Sequence, residues 1–284
     1  MLKRIAVVIG ANKGLGRALV RGMCRELGSD VTVVLTARDE GRGREAIATL
    51  RAEGLTPALG LVDLAEPASI TTLAERLGRE HDGVDILIQN GAYAALPDVP
   101  PATQARVMIK TNNLGTTRVL EAFKPLLRPN ARVLVVASAF GVLKNLPAHL
   151  RDRFDTERLS LAELDRNLLA YVEAVEQGRA VAEGWPNWIN VPSKIGQVAA
   201  MRIFARDWAR APRVPGVLIN AACPGWMITD ASRPYLTGLP AGIVAKAPED
   251  AEPDVRWAVT LPDGATAPYS ELLQFRKPIP WNES

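Results

Sequence analysis

Short, apolar, β-branched runs recur along this chain at Ile5 to Ile9, Val31 to Leu35, Pro57 to Val62, Val84 to Ile88, Arg132 to Ala137 and Val217 to Asn220. Segments of helical periodicity separate most of them, at Gly14 to Leu27, Asp39 to Glu53, Pro67 to Arg79 and Ala102 to Leu127. Strands joined by helical crossovers pair in parallel, the crossovers are right-handed, and the helices cover both faces of the sheet. The expected architecture is therefore α/β, a doubly wound parallel sheet. A length of 284 residues fits one domain with a large core, so the chain is read as a single domain spanning 1–284.

Between Ser138 and Pro186 the alternation stops. A charged, helix-compatible stretch from Pro147 to Glu183 carries Leu161, Leu164, Leu168, Leu169 and Val172 at helical spacing. It is expected to be a helical insertion, over about residues 145–185, packed on the same domain. A further helix is expected from about Val191 to Arg210, and the proline- and glycine-rich tail after Pro224 suits a mobile loop over a ligand.

The first strand runs into Gly10-Ala11-Asn12-Lys13-Gly14-Leu15-Gly16, which opens the first helix. Glycine allows a tight turn and a close approach of backbone to a pyrophosphate, and a helix N-terminus offers unpaired N–H groups and partial positive charge. In this strand-to-helix context the turn points to a dinucleotide. The second strand ends in Arg38, where a carboxylate would accept from a ribose hydroxyl; a guanidinium there suits a 2′-phosphate, with Lys13 as a second cation. NADP(H) is accordingly expected over NAD(H). Asp63, before Leu64 at the end of the third strand, either accepts from the adenine amine or caps the helix near Pro67.

The bulk composition narrows the partners. A net charge of +3, from 34 basic and 31 acidic residues scattered along the chain, gives no basic run for nucleic acid. Cys24, Cys223, His81 and His149 lack metal-ligand spacing, so no metal is expected. No apolar stretch approaches the ~18 residues of a membrane span, and the start has no secretory pattern, which points to a cytoplasmic protein.

The turn at Gly10, Asn112 in Lys-Thr-Asn-Asn-Leu-Gly, Ser138 at the end of the fifth strand, Lys194, and Cys223-Pro224-Gly225-Trp226 appear in the order of the short-chain dehydrogenase/reductase family, which the whole chain resembles. The long segment ending Glu183-Gly184-Trp185-Pro186 resembles that of the monomeric carbonyl reductases. The resemblance implies a Rossmann-type sheet of about seven strands, NADP(H) across the strand carboxyl ends, and a quartet of Asn, Ser, Tyr and Lys. By that resemblance Asn112 anchors a water, Ser138 orients the substrate carbonyl, Lys194 binds the nicotinamide ribose, and Pro224, Gly225, Trp226 and Thr229 lie beside the nicotinamide. Tyr93, Trp188, Trp226 and Met227 are candidates for the substrate wall. The insertion resembles one that covers the face used elsewhere in the family for dimerisation, which implies a monomer.

The tyrosine should stand four residues before the lysine, and that position is Asn190. The family's Asn-Asn-Ala-Gly is Gln89-Asn90-Gly91-Ala92, with Asn90 retained beside the cofactor. An amide is no useful acid, and losing a general acid costs about 10²- to 10⁴-fold in rate. Lys194 acting through a water held by Asn190 and Asn112, another tyrosine (Tyr93, Tyr171 or Tyr235), or a substrate needing no proton, such as an iminium ion, are the replacements open to the chain. Three functions follow from these residues: an NADP(H)-dependent reductase of a C=O, C=N or conjugated substrate, a non-redox enzyme in the same pocket, or a silent nucleotide binder.

Overall fold

A computed structural model describes residues 3–239 and 241–282. The chain alternates β1 (Arg4–Ile9), α1 (Gly14–Leu27), β2 (Val31–Ala37), α2 (Glu40–Ala52), β3 (Ala58–Leu61), α3 (Pro67–His81) and β4 (Val84–Gln89). It continues through α4 (Pro101–Ile109), α5 (Gly115–Phe123), β5 (Leu127–Val136), α6 (Ala148–Arg151), α7 (Leu161–Glu176), α8 (Asn190–Arg210), β6 (Leu218–Cys223), α9 (Pro248–Trp257), β7 (Leu272–Gln274) and β8 (Lys277–Ile279). Sheet order is β3-β2-β1-β4-β5-β6-β7-β8, parallel throughout except for the antiparallel β7–β8 pair.

Alternation of side chains along the strands divides the core. Ile5, Val7 and Ile9 of β1 join Leu73, Phe123 and Val198 on one face, whereas Ala6 and Val8 join Leu19, Leu50 and Val255 on the other. Helices α3, α5 and α8 thus cover the first face and α1, α2 and α9 the second, the doubly wound arrangement expected from the sequence. Strand order reverses between β1 and β4, which opens a crevice at their carboxyl ends.

Two elements depart from the sequence-based expectation. The single helix expected over 102–127 is broken by a π-helical turn at Lys110–Leu114 that turns Asn112 and Asn113 inward, both about 1% exposed or less. The tail expected to be a mobile loop contains α9, β7 and β8 as well as loops, because Val255, Leu272 and Leu273 are buried against the second and first cores. Among the described residues the sheet consequently has eight strands, in line with the about seven expected, the short antiparallel β8 being the addition at its edge.

Within the segment read as an insertion, α7 begins with a reciprocal cap: Glu163 N–H donates to Ser160 Oγ at 3.2 Å and Ser160 N–H donates to Glu163 Oε2 at 2.8 Å. Its apolar stripe, including Leu164, Leu168 and Val172, packs onto α4 and α8. Arg106 of α4 and Glu176 of α7 tie the two helices by an ion pair at 2.5 Å.

Candidate functional site

At the crevice, Gly10 and Gly14 adopt φ of +74° and +54°, a region that strains any residue with a Cβ. A Cβ on Gly10 would lie 2.4 Å from the Gly91 Cα, so β1 and β4 approach each other as only glycine permits. The turn is held from both sides: Asn90 Nδ2 donates to the Gly10 carbonyl at 2.7 Å, and Gly10 N–H donates to Thr36 Oγ1 at 3.0 Å. Asn90 is therefore a clamp on the turn itself. Leu15 is buried beneath it, and Gly16 leaves room for the Gly10 carbonyl, 2.3 Å from where its Cβ would stand. Lys13 precedes α1 without a side-chain cap, which leaves the first-turn N–H groups facing the crevice.

Beside the turn lies a groove of about 360 Å³ lined by Asn12, Lys13, Arg17, Arg42, Glu45 and Thr49. Arg38 turns away from it toward Asp63, at 3.8 Å, and is largely exposed. The cation that reaches into this groove from α2 is Arg42, a residue the sequence reading missed. One helical turn from Arg38, it looks like any solvated helix cation until the backbone is folded. Asp63 Oδ1 accepts from Ala65 N–H at 3.0 Å, and Leu64 is buried against Gly91 and Gly115. Asp63 does not cap α3, whose N-cap is Glu66.

A second, larger cleft of about 1100 Å³ runs from the glycine turn to the ends of β5 and β6. It brings together Gly10, Asn90, Ser138, Asn190, Lys194 and Thr229. Ser138 sits just past β5 in extended backbone, its Oγ accepting from Phe140 N–H at 3.2 Å. Asn190 is the first residue of α8, with Pro192 in the first turn, where its missing N–H costs no helical bond. Lys194 follows just over one turn later, so Asn190 and Lys194 share a helix face. Burial of the amine pulls the Lys194 pKa down to about 8, partly offset by the nearby Cys223 thiol. Burial in turn pushes the Cys223 thiol up, against donors that include the Gly225 and Ala139 N–H groups.

Asn112 is not a lining residue of this cleft. Its carboxamide is occupied within the protein: Oδ1 accepts from Tyr93 N–H at 2.7 Å, and Nδ2 donates to Tyr93 O at 3.1 Å and Ser193 Oγ at 3.2 Å. Asn112 thereby fixes the backbone that aims Tyr93 at the cleft. Phe140, Trp188, Trp226 and Tyr235 form an aromatic wall, with Phe140 edge-on to Trp188 at 5.1 Å and to Trp226 at 6.3 Å. Trp188 also meets Tyr235 at 5.4 Å, and the Tyr235 hydroxyl donates to Ala95 O at 2.7 Å. Tyr171, by contrast, is 1% exposed in α7, where its ring packs on Trp185 at 4.5 Å, and burial pushes its pKa up. Met227 lines the cleft and bridges to Lys246, Gly225 takes φ +78° after Pro224, and the Thr229 hydroxyl pairs with Ser232 Oγ at 2.9 Å.

Among the described residues no group of three or more His, Cys, Asp or Glu side chains is placed to hold a metal ion, and no helix is long and apolar enough to cross a membrane.

A glycine-lined crevice at the strand-order reversal, with a serine just past β5 and a lysine on α8 facing one cleft, defines a class, and the chain belongs to it: residues 4–148 match the short chain dehydrogenase family. Carbonyl reductase (NADPH) 1 of Rattus norvegicus is 37% identical over 281 residues, covering 98% of both chains. The Homo sapiens protein of the same name is 35% identical over 281 residues, again with 98% of each chain covered. Salutaridine reductase from Papaver somniferum shares the fold with a TM-score of 0.81 at 22% identity, over 95% of this chain and 99% of that one.

Proposed function

We propose that the protein is an NADPH-dependent reductase of a small-molecule C=O, C=N or conjugated substrate, in which Lys194 takes over the proton donation that a tyrosine at position 190 would perform. The observation that carries this reading is the placement of the Lys194 amine on the same cleft as Ser138 and Asn190, supported by the burial that pulls its pKa down to about 8. An ammonium that titrates close to neutrality is a competent general acid, which an ordinary surface lysine is not.

The residues present fit the dinucleotide. The glycine turn has no room for side chains, the α1 N–H groups face the crevice, and Lys13, Arg17 and Arg42 line a groove suited to a 2′-phosphate. NADPH bound there supplies a hydride to the electrophilic carbon. Ser138 Oγ donates to the substrate oxygen and polarises it, while the Asn190 carboxamide adds a hydrogen bond where no acid stands. The Lys194 ammonium gives its proton to the developing alkoxide and is recharged from solvent through the open cleft. For an iminium substrate the proton is not needed, and Lys194 serves only to hold ribose hydroxyls. Tyr93, Trp188, Trp226 and Met227, together with Phe140, are read as the wall against which a flat, apolar substrate packs.

Monomeric state belongs to the same reading, supported by the way α7 covers α4 and α8; elution as a single chain on size exclusion with light scattering tests it.

The functional test is NADPH consumption against a panel of aromatic ketones, quinones and cyclic iminium ions. Turnover of at least one class, with product formed only with the reduced nucleotide, is the expected result. Product formed equally with NADP⁺ overturns the reading in favour of a non-redox enzyme.

A further inference from the structure

Lys194 has one hydrogen-bond acceptor among the described residues, and it is a neutral one. Its Nζ donates to Gln197 Oε1 at 2.7 Å, one turn along α8. Gln197 is 1% exposed, and its other end is also fixed: Nε2 donates to Thr116 Oγ1 of α5 at 3.5 Å. Thr116 in turn accepts from Gln89 Nε2 of β4 at 3.0 Å and donates to the Asn112 carbonyl in the π turn at 2.5 Å. With Nε2 engaged on Thr116, the carboxamide presents its oxygen, not its nitrogen, to the lysine.

The identity of that side chain matters electrostatically. A carboxylate at the same place would favour the charged amine strongly, and an aliphatic side chain would leave a desolvated ammonium without a partner. A fixed amide oxygen lies between these limits: it orients an N–H without supplying opposite charge. The other titratable neighbour is the Cys223 thiol of β6, itself pushed toward the neutral form by burial. Ser138 after β5 is uncharged, and the carboxylates lining the cleft, Asp230 and Glu249, are engaged elsewhere with Lys13 and Arg21.

We propose that Gln197 is a positioning residue that fixes the Lys194 amine and governs its protonation, working through the buried Gln197–Thr116–Gln89 network. The catalytic meaning of this rests on Lys194 being the proton donor, as read above; the effect on protonation does not.

The test follows both. The Lys194 titration is read by NMR on protein labelled with carbon-13 at lysine Cε, assigned with Lys194→Met, and the alkaline limb of kcat/KM is read with NADPH and a ketone. Gln197→Glu is expected to move the Lys194 titration upward by about one pH unit or more, and Gln197→Leu to move it downward. The kcat/KM limb is expected to follow in the same two directions. Loss of activity or thermal stability in both variants with the Lys194 titration unmoved overturns the proposal, since that is the signature of a purely structural glutamine. A titration that moves while the limb stays in place supports the role of Gln197 and overturns Lys194 as the donor. Where the glutamate variant does not fold, the leucine variant carries the same test through the downward shift.

Discussion

Lys13 in the glycine turn and Asp230 in the loop after β6 meet at 3.0 Å, joining two walls of the cleft that lie 217 positions apart in the chain. Both side chains are mostly exposed, so the pair adds little to stability. An anionic phosphate at the start of α1 competes with Asp230 for the same ammonium. Asp230→Asn is therefore expected to tighten NADPH binding a few-fold at low ionic strength, with the gain fading in molar salt. Fluorescence titration at two salt concentrations checks it, and equal affinities in the two proteins at low salt would show that Lys13 is not a phosphate ligand.

Arg42, which lines the groove, and Arg38, which leans on Asp63, make different claims on the 2′-phosphate. Charge-assisted hydrogen bonds of this kind are worth ~1.5–3 kcal/mol, or roughly ten- to a hundred-fold in affinity. Arg42→Ala is expected to raise the NADPH Kd by about that factor and to leave NADH unchanged, and Arg38→Ala to have the smaller effect. Calorimetry with both nucleotides measures the difference directly; an equal loss for NADH would place Arg42 outside the phosphate site.

In the proposed mechanism the protonated form of Lys194 is the acid, and it is the majority form below pH about 8. Ketone reduction is accordingly expected to be level below that pH and to fall tenfold per unit above it, whereas reduction of an iminium ion stays level throughout. Lys194→Met removes the alkaline limb with the activity. Asn190→Tyr restores a phenol beside the lysine and is expected to raise kcat/KM for ketones by about tenfold or more, without a gain for iminium ions. Rate profiles over pH 5 to 10 separate these cases.

Asp165 in α7 has its pKa raised to about 6, chiefly by burial, against the Thr117 hydroxyl that it accepts from at 2.9 Å. A carboxyl raised in the folded state adds stability that is full below its unfolded pKa of 3.8 and is lost as pH rises through about 6. Asp165→Asn keeps the acceptor and removes the titration. The variant is expected to melt with the wild type near pH 4 and above it at pH 7.5, by an amount on the order of 1–3 kcal/mol. Thermal melts at the two pH values decide; a constant offset would assign the effect to packing alone.

Much of this could be read before folding. The first helix spans Gly14–Leu27 as its periodicity indicates, and Ser138, Asn190 and Lys194, which the family resemblance assigns to one site, line one cleft. Other parts were hidden for definite reasons. Pro248 and Pro253 in α9 read as loop composition, although the first stands at N1, where proline is tolerated. Gln197 lies on a helix buried nearly all round, so no polar stripe marks it, and its partners Thr116 and Gln89 come from two other elements. Asn112 looked like a solvent-holding side chain, yet its carboxamide is taken up by the Tyr93 backbone, which a sequence motif does not record.

The π turn at Lys110–Leu114 also sets a limit on how this protein can be altered. Such a turn holds one residue more than an α-helical turn. Each residue advances a helix by about 100°, so deleting one here would straighten α4 into α5 only by swinging everything downstream by that angle. Val119, Leu120 and Phe123, all inaccessible to solvent, would leave the sheet face, and Thr116 would lose its place between Gln89 and Gln197. A length change at these five positions therefore transmits through Thr116 and Gln197 to the lysine without touching it.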